Sequence, residues 1–223
     1  HIAFSQPSVW YEAHLECPGF KVYGNFLAGT PVPALGHTDF GGWGLTMFEN
    51  DDADFFRETL NPSNANQVKY KDTWENMKVR NERIKVKGKS DVLLDVKKTR
   101  HGYILNEAFD GLINEKNPIA LWWVYHQFPA RHLEVFYNIC KSKNAGDMGK
   151  AVAPLTSPGL NFMWADTTGN IAWWAAGKLP IRPKHVDPEV ILDGASGLDD
   201  PQGWYPFSLN PQILNPQSRV LYT

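Results

Sequence analysis

Hydrophobic and polar residues alternate along the first part of the chain, which is typical of β-strands with one buried face. Residues 8–27 alternate until Pro18-Gly19 interrupts them, so this segment predicts a β-hairpin. A glycine-rich segment follows, and the pattern predicts another strand around residues 42–48. The chain therefore begins as a series of strands that lie next to each other in sequence.

Four further segments predict elements of different kinds. Residues 51–60 are compatible with a helix, because carboxylates at its start would lie near the positive end of the helix dipole. Residues 130–142 have apolar side chains at helical spacing and predict a helix. Residues 67–105 read as polar strands with a hairpin turn at residues 87–90, a candidate small β subdomain. Residues 161–177 predict one more hairpin.

These elements together predict an α+β fold of antiparallel sheets with few helices. The 223 residues are enough for one large domain or two small ones. After residue 180 the chain is rich in proline, glycine and aspartate, so we expect mainly surface loops there.

Composition excludes several classes of protein. A net charge of -2 offers no basic face to a nucleic acid, and no apolar run approaches the roughly 18 residues of a membrane span. The first residues lack the pattern of a signal peptide. The histidines show no paired spacing of a zinc site, and the spacing of Cys17 and Cys140 predicts two buried thiols rather than a metal or redox pair.

The segment from Gly36 to Asp54 combines a glycine-rich bend with an acidic cluster. Its glycines would allow positive φ and a close backbone approach, so that a bare amide near Met47 could serve as an oxyanion donor. Asp51, Asp52 and Asp54 repel one another unless a cation or strong solvation compensates. The residues alone leave open whether this is a solvated turn or a site, and they show no self-contained nucleophile.

A set of motifs in fixed order resembles the β chain of penicillin acylase family enzymes, and it covers essentially the whole chain. Its main members are Pro7-Ser8-Val9-Trp10-Tyr11-Glu12-Ala13-His14-Leu15, Gly36-His37, Trp43-Gly44-Leu45-Thr46, Asp51-Asp52-Ala53-Asp54, Thr99-Arg100-His101-Gly102, Asn161-Phe162-Met163-Trp164-Ala165-Asp166, Pro180-Ile181-Arg182, Gly203-Trp204-Tyr205-Pro206-Phe207 and Asn215-Pro216-Gln217-Ser218.

This resemblance implies an N-terminal nucleophile hydrolase with a four-layer αββα sandwich. In such enzymes a serine whose own α-amine acts as base is acylated by an amide substrate. The chain begins with His1, which resembles a position just after that serine and would support the nucleophile region. It stops at Thr223, before the family's oxyanion-hole asparagine. We therefore expect a central segment, inactive by itself, of a longer amide hydrolase that acts on penicillin-like or other N-acyl substrates.

The resemblance also implies roles for single residues. Met47 corresponds to a position whose backbone N–H supplies half of the oxyanion hole. Four aliphatic residues correspond to positions that line the acyl pocket and suggest an apolar acyl group: Ile2, Leu35, Leu45 and Leu160. Thr38 departs from the asparagine that usually follows Gly-His in the family.

Calcium is the cofactor that the resemblance suggests, although the chemistry does not require it. Asp51 and Asp54 would supply carboxylates, while Ala53 and Pro188 would supply carbonyl oxygens. The expected partners are an acyl amide substrate, the α chain and the remaining β-chain parts of the same precursor. An uncovered sheet edge would also allow self-association. The expected location is periplasmic or secreted.

Two alternatives remain open at this stage. An acyl-homoserine lactone acylase belongs to the same class of enzyme and would differ in its acyl-chain preference. A non-catalytic module that binds a ligand or calcium would use the aromatic residues and the acidic cluster without performing chemistry.

Overall fold

The structure, a computed structural model, describes residues 5–112 and 114–222. Strands dominate, and two α-helices lie within the described residues. In chain order the elements are β1 (Trp10–Cys17), β2 (Phe20–Leu27), β3 (Leu35–His37), β4 (Gly41–Met47), β5 (Ala53–Arg57), β6 (Leu60–Asn61), β7 (Asn64–Tyr70), β8 (Thr73–Asn76), β9 (Lys78–Ile84), β10 (Val92–Lys98), β11 (Tyr103–Ile104), β12 (Ile119–Trp123), α1 (His132–Cys140), α2 (Ala145–Val152), β13 (Leu160–Asp166), β14 (Ile171–Ala176), β15 (Pro180–Ile181), β16 (Leu192–Asp193), β17 (Gly203–Trp204) and β18 (Gln212–Leu214).

The described residues divide into two compact units. The first contains the residues up to Asn50, Phe128–Leu179 and those from Tyr205 onward, while Asp51–Gln127 and Pro180–Trp204 form the second. Residues 67–105, the candidate β subdomain, lie entirely within the second unit. No helix in the described ranges has both the length and the apolarity needed to cross a membrane.

The first unit is built on a seven-stranded sheet in the order β1-β2-β3-β4-β13-β14-β18. Every neighbouring pair in it is antiparallel. Apolar residues of the sheet and of both helices form one buried cluster, in which Phe162 and Trp164 of β13 pack with Val135 and Ile139 of α1 and Met148 of α2. Burial of this cluster is the main stabilising term of the unit.

Both hairpins predicted in this unit are confirmed. The β1–β2 hairpin turns between Cys17 and Phe20, which are paired in register, and Gly19 has a φ of +78° there. The β13–β14 hairpin turns after Asp166, whose carboxylate accepts hydrogen bonds from the N–H groups of Thr168 and Asn170. The turn residues in the sequence therefore predict the positions of these two hairpins correctly.

The helix predicted over residues 130–142 is confirmed as α1. The second helix, α2, was not predicted, although it carries an N-cap signal: the side chain of Asn144 accepts a hydrogen bond from the N–H of Asp147. Cys140 is buried in α1, and burial raises the pKa of its thiol to about 12. Cys17 is exposed at the end of β1, so the prediction of two buried thiols is wrong for this residue.

The second unit contains a six-stranded sheet in the order β16-β5-β12-β11-β10-β9, with β16 parallel to β5. A three-stranded sheet of β6, β7 and β8 and the pair β15–β17 complete it. The predicted hairpin around residues 87–90 is confirmed, because β9 and β10 pair with Ile84 opposite Val92. Several short strands form after residue 180, where loops were expected.

The predicted helix at residues 51–60 is wrong, because this segment contains the strand β5. Asp54, Phe56 and Glu58 are buried, whereas Phe55 and Arg57 are exposed, which is the two-residue period of a strand. β5 lies between β12 and β16 in the six-stranded sheet. Pairing on both sides and burial of one face outweigh the local preference of acidic residues for a helix start.

A buried group of ionisable residues lies at the end of β5. Nδ1 of His101 is 2.9 Å from Oε1 of Glu58, and its Nε2 is 3.0 Å from Oδ1 of Asp200. Phe56 stacks on the imidazole with 4.1 Å between ring centroids, and Tyr70 donates its hydroxyl to Asp200. Both nitrogens of this nearly inaccessible imidazole therefore meet a carboxylate.

The tight turn between β10 and β11 directs His101 into this position. The hydroxyl oxygen of Thr99 accepts a hydrogen bond from the N–H of His101, and the N–H of Thr99 donates to the carbonyl of Gly102. A Cβ on Gly102 would lie 1.7 Å from the carbonyl oxygen of Leu121, so no side chain fits there.

The two carboxylates set the charge state of the imidazole. Burial by itself lowers the pKa of His101, but the hydrogen bonds and charges of Asp200 and Glu58 outweigh it and hold this pKa above its ordinary value. The hydrogen bond from His101 lowers the pKa of Asp200 in turn. The charged triad of Glu58, His101 and Asp200 therefore contributes most at mildly acidic to neutral pH.

We predict that the stabilising effect of His101 is lost at alkaline pH. A raised folded-state pKa means that the contribution is complete below the unfolded value of about 6.5 and disappears as the pH rises through the folded-state pKa. His101→Gln should lower the free energy of unfolding by about 3 kcal/mol at pH 6, because Glu58 stays buried without its cation. The difference from wild type should shrink towards pH 9 in urea titrations.

His185→Gln is the matched control, because His185 also contacts an aspartate but is 61% exposed. This variant is expected to follow the wild-type profile closely. An equal alkaline fall in stability in wild type and His101→Gln would show that another group titrates.

Candidate functional site

The glycine-rich segment between Gly36 and Gly44 forms β3, a short turn and most of β4. A Cβ on Gly36 would lie 2.5 Å from the carbonyl oxygen of Tyr23, and one on Gly41 would lie 2.5 Å from the Trp164 ring. Glycines 36, 41, 42 and 44 are not among the positive-φ glycines of the described chain, so the expected left-handed bend is wrong. The expected close approach holds at Gly36 and Gly41, whereas a Cβ on Gly44 would meet nothing within 4 Å.

Met47 ends β4, and its side chain is 54% exposed. It lies opposite Leu160 in the β4–β13 register, and the N–H of the next residue, Phe48, donates to the carbonyl of Gly159 at 3.0 Å. Along a strand of an antiparallel pair, the backbone N–H and C=O groups of successive residues point alternately towards the partner strand and away from it. The N–H of Met47 therefore faces away from β13.

The strand on the other side of β4 does not extend to Met47. β3 pairs with β4 at Trp43 and Gly42 within the described residues. The backbone N–H of Met47 is consequently directed beyond the end of the neighbouring strand, as an oxyanion donor requires.

Sequence reasoning missed Asn161 as a contact of this strand end. Its side-chain amide donates to the carbonyl oxygen of Met47 at 2.9 Å. Asn161 was identified only as part of a motif, because its contact depends on the pairing of β4 with β13.

The predicted acyl-pocket residues lie in the seven-stranded sheet but not on one face. Leu160 belongs to the buried apolar cluster, and Leu45 packs against it. Leu35 directly precedes Gly36, which pairs with Trp43 of that same cluster. Because side chains alternate along β3, Leu35 lies on the opposite face of the sheet. Leu45 and Leu160 therefore share one face, and Leu35 does not.

The predicted acidic cluster is organised by an arginine that the sequence did not single out as its partner. Nε of Arg182 donates to both carboxylate oxygens of Asp54, at 3.0 and 3.2 Å. The same guanidinium lies 3.3 Å from the carboxylate of Asp51 and donates to the Asp51 carbonyl. Asp54 is almost inaccessible, and burial raises its pKa although the hydrogen bond from Arg182 opposes the shift.

The described residues fit calcium only in part. Carboxylate and carbonyl oxygens are suitable ligands for this cation, but Arg182 already occupies both carboxylate oxygens of Asp54. Ala53 lies in β5 and Pro188 in a turn after β15. Within residues 5–112 and 114–222, no group of three or more His, Cys, Asp or Glu side chains is placed to hold a metal. The acidic pair with Arg182 keeps one uncompensated negative charge.

Two predicted site residues, His1 and Ile2, lie outside the described residues. Their predicted roles, support of the nucleophile region and contact with the acyl group, stay predictions.

Comparison with known proteins identifies related sequences. Penicillin G acylase from Escherichia coli is 30% identical over 224 residues, which cover 95% of this chain and 24% of that protein. Acyl-homoserine lactone acylase QuiP from Pseudomonas fluorescens is 29% identical over 219 residues, which cover 96% of this chain and 26% of that protein. The chain thus spans about a quarter of the length of these curated relatives.

The fold agrees with these relatives. A thermostable penicillin G acylase from Alcaligenes faecalis superposes with a TM-score of 0.88 at 27% identity, over 97% of this chain and 38% of that one. The predicted α+β class of antiparallel sheets with few helices is thereby confirmed. The family model described as penicillin amidase matches residues 1–223, and the chain belongs to that family.

Proposed function

We propose that this chain forms part of an amide hydrolase of the penicillin acylase type, which removes the acyl group from an N-acyl substrate. Membership of the penicillin amidase family supports this class of reaction. Since the chain spans about a quarter of its relatives, the proposal concerns a longer protein that contains these residues.

The chemistry divides between this chain and residues outside it. An N-terminal serine, activated by its own α-amine, attacks the amide carbonyl. The C–N bond breaks, the amine leaves with the proton that the α-amine took from the serine, and water then hydrolyses the acyl-enzyme to the free acid. Met47 contributes a backbone N–H that stabilises the oxyanion formed in each step. The observation that carries this proposal is the direction of that N–H, away from β13 and beyond the end of β3.

The substrate is an amide with an apolar acyl group, because the two expected acyl-pocket residues that share a face of the sheet, Leu45 and Leu160, are both aliphatic. An acyl-homoserine lactone acylase is the second candidate, and the same aliphatic side chains favour it. Aliphatic walls accept an acyl chain without offering a hydrogen bond, so they discriminate by size and shape.

The proposed partners are other parts of the same longer protein, since the chain spans about a quarter of its relatives. An α chain and the remaining β-chain parts of one precursor would supply the nucleophile and the other oxyanion donor. Within the described residues β1 pairs only with β2, and Tyr11 and Leu15 on it are exposed. Chain from the same precursor would cover this edge, and without it the edge could pair with a second copy. The proposed location is periplasmic or secreted.

Calcium is proposed as a structural ligand at Asp51 and Asp54, with Ala53 and Pro188 as carbonyl donors. It would compete with Arg182 for the carboxylate of Asp54. We therefore expect weak binding in this chain, since a hard cation requires more oxygen ligands than remain available.

We predict amide hydrolysis by the complete protein and none by the isolated 223 residues. The complete protein should release product from phenylacetyl and fatty-acyl amides and from acyl-homoserine lactones, because its serine completes the site. Comparison of kcat/KM across acyl chain lengths measures the preference.

Replacing the N-terminal serine of the complete protein with alanine is the control and should abolish turnover. Turnover by the purified 223 residues, at a rate comparable with the complete protein, would contradict the division of the site. Ligand binding without hydrolysis by the complete protein would favour the non-catalytic module instead.

We predict that removal of Arg182 increases the response to calcium. Arg182→Gln leaves Asp54 buried without its cation, which should lower the free energy of unfolding by about 3 kcal/mol. Calcium should then raise the unfolding midpoint of this variant more than that of wild type, because it binds the folded state.

Arg182→Lys is the matched control, since it keeps the positive charge but lacks the planar guanidinium group that contacts both aspartates. Its response to calcium should lie close to that of wild type, and magnesium should have less effect than calcium on Arg182→Gln. An unfolding midpoint that calcium leaves unchanged in each variant would remove these aspartates from any calcium site.

A further inference from the structure

Asn161 of β13 is held in one orientation by neighbours on two strands. It is only 7% exposed and lies opposite Thr46 of β4. Its amide nitrogen donates to the carbonyl oxygen of Met47 at 2.9 Å and lies 3.2 Å from the hydroxyl of Thr46. Its Oδ1 accepts a hydrogen bond of 3.0 Å from Nε1 of Trp173 in β14.

Trp173 determines which end of the Asn161 amide faces Met47. An indole N–H can only donate, so it requires the oxygen of Asn161, and the NH₂ group is then directed at the Met47 carbonyl. The Met47 carbonyl can only accept, so both contacts select the same orientation of the Asn161 amide.

These contacts hold the peptide group that follows the Met47 N–H. The carbonyl of Met47 and the N–H of Phe48 belong to one peptide group, which Asn161 binds at one end and the carbonyl of Gly159 at the other. On the preceding side, the alternation of bonded pairs makes Thr46 exchange backbone hydrogen bonds with Asn161. The Met47 N–H belongs to the Thr46–Met47 peptide group, which these backbone bonds hold through the Thr46 carbonyl. The peptide groups on both sides of the Met47 Cα are therefore fixed to β13.

We propose that Asn161, oriented by Trp173, is a positioning residue for the backbone oxyanion donor of Met47. This inference rests on the proposed role of Met47 as that donor. Asn161 does not touch the reacting atoms. By holding the Met47–Phe48 peptide group, it fixes the Met47 Cα from the C-terminal side, so that the adjoining Thr46–Met47 peptide group, which carries the donor N–H, keeps its direction towards the oxyanion. A preorganised donor stabilises the transition state because it does not reorganise as charge develops.

The test compares kcat, KM and backbone exchange in variants of the complete protein. Asn161→Ala removes all three side-chain hydrogen bonds and should lower kcat by about 10- to 100-fold, less than the loss of a donor itself, with KM within about twofold. Asn161→Asp keeps an acceptor for Trp173 but offers no donor to the Met47 carbonyl, so it should lower kcat at least as much. Trp173→Phe should cause a smaller loss.

Asn106→Ala is the matched control for stability. The amide of Asn106 likewise donates twice, to the carbonyls of Glu115 and Asn117, and accepts once, from the N–H of Ile119. It belongs to the other compact unit. It should destabilise the protein by a comparable amount while kcat stays near that of wild type.

Hydrogen–deuterium exchange of the peptide covering residues 45–50 gives a readout that does not depend on turnover. Exchange there should be faster in Asn161→Ala than in wild type and unchanged in Asn106→Ala. Equal kcat in Asn161→Ala and Asn106→Ala, with an active wild type, would overturn the positioning role. An inactive wild type would refute the proposed function. Unchanged exchange of residues 45–50 in Asn161→Ala would then also refute the positioning of the Met47 backbone by Asn161.

Discussion

The pairing of β4 with β13 is the constraint on which the candidate site depends. Its register sets Met47 opposite Leu160 and Thr46 opposite Asn161, so it determines the direction of the Met47 N–H and the reach of the Asn161 amide. A shift by one residue would turn every side chain of β4 to the other face. Trp43 and Trp164 oppose this shift, because they face each other in this register and both lie in the buried cluster. Packing of the core thus fixes the geometry of the candidate site at the end of β4.

The second unit places charge where a sheet usually buries apolar side chains. Asp54 and Phe56 of β5 are buried, as is Glu58 just after the strand, and each carboxylate meets a buried or half-buried cation, Arg182 or His101. Charges buried in this way are tolerated only when they are paired, and removal of one partner is costly. The two pairs join β5 to residues far away in sequence, so they restrict which segments can lie beside it.

Much of the fold could be predicted from the sequence where local rules and tertiary structure agree. The three hairpins followed from alternation and turn residues, and α1 followed from helical spacing. The strand β5 could not be predicted in this way, because its carboxylates look solvent-facing until Arg182 and His101 are placed next to them. The glycines of β3 and β4 were misread for a similar reason, since the Trp164 ring and the Tyr23 carbonyl that exclude a Cβ lie in other strands.

For the site, the sequence by itself determined the family and, through it, the candidate donor Met47 and the acidic pair Asp51 and Asp54. The motifs occur in a fixed order along the whole chain, and the order of motifs can be read from the sequence without knowledge of the fold. Only the tertiary structure decided which groups meet: Asn161 with the Met47 carbonyl, Arg182 with both aspartates, and Leu35 on the opposite face from Leu45 and Leu160. Hydrogen bonds and ion pairs act over a few ångströms, and residues more than a hundred positions apart reach that distance only when the sheets form.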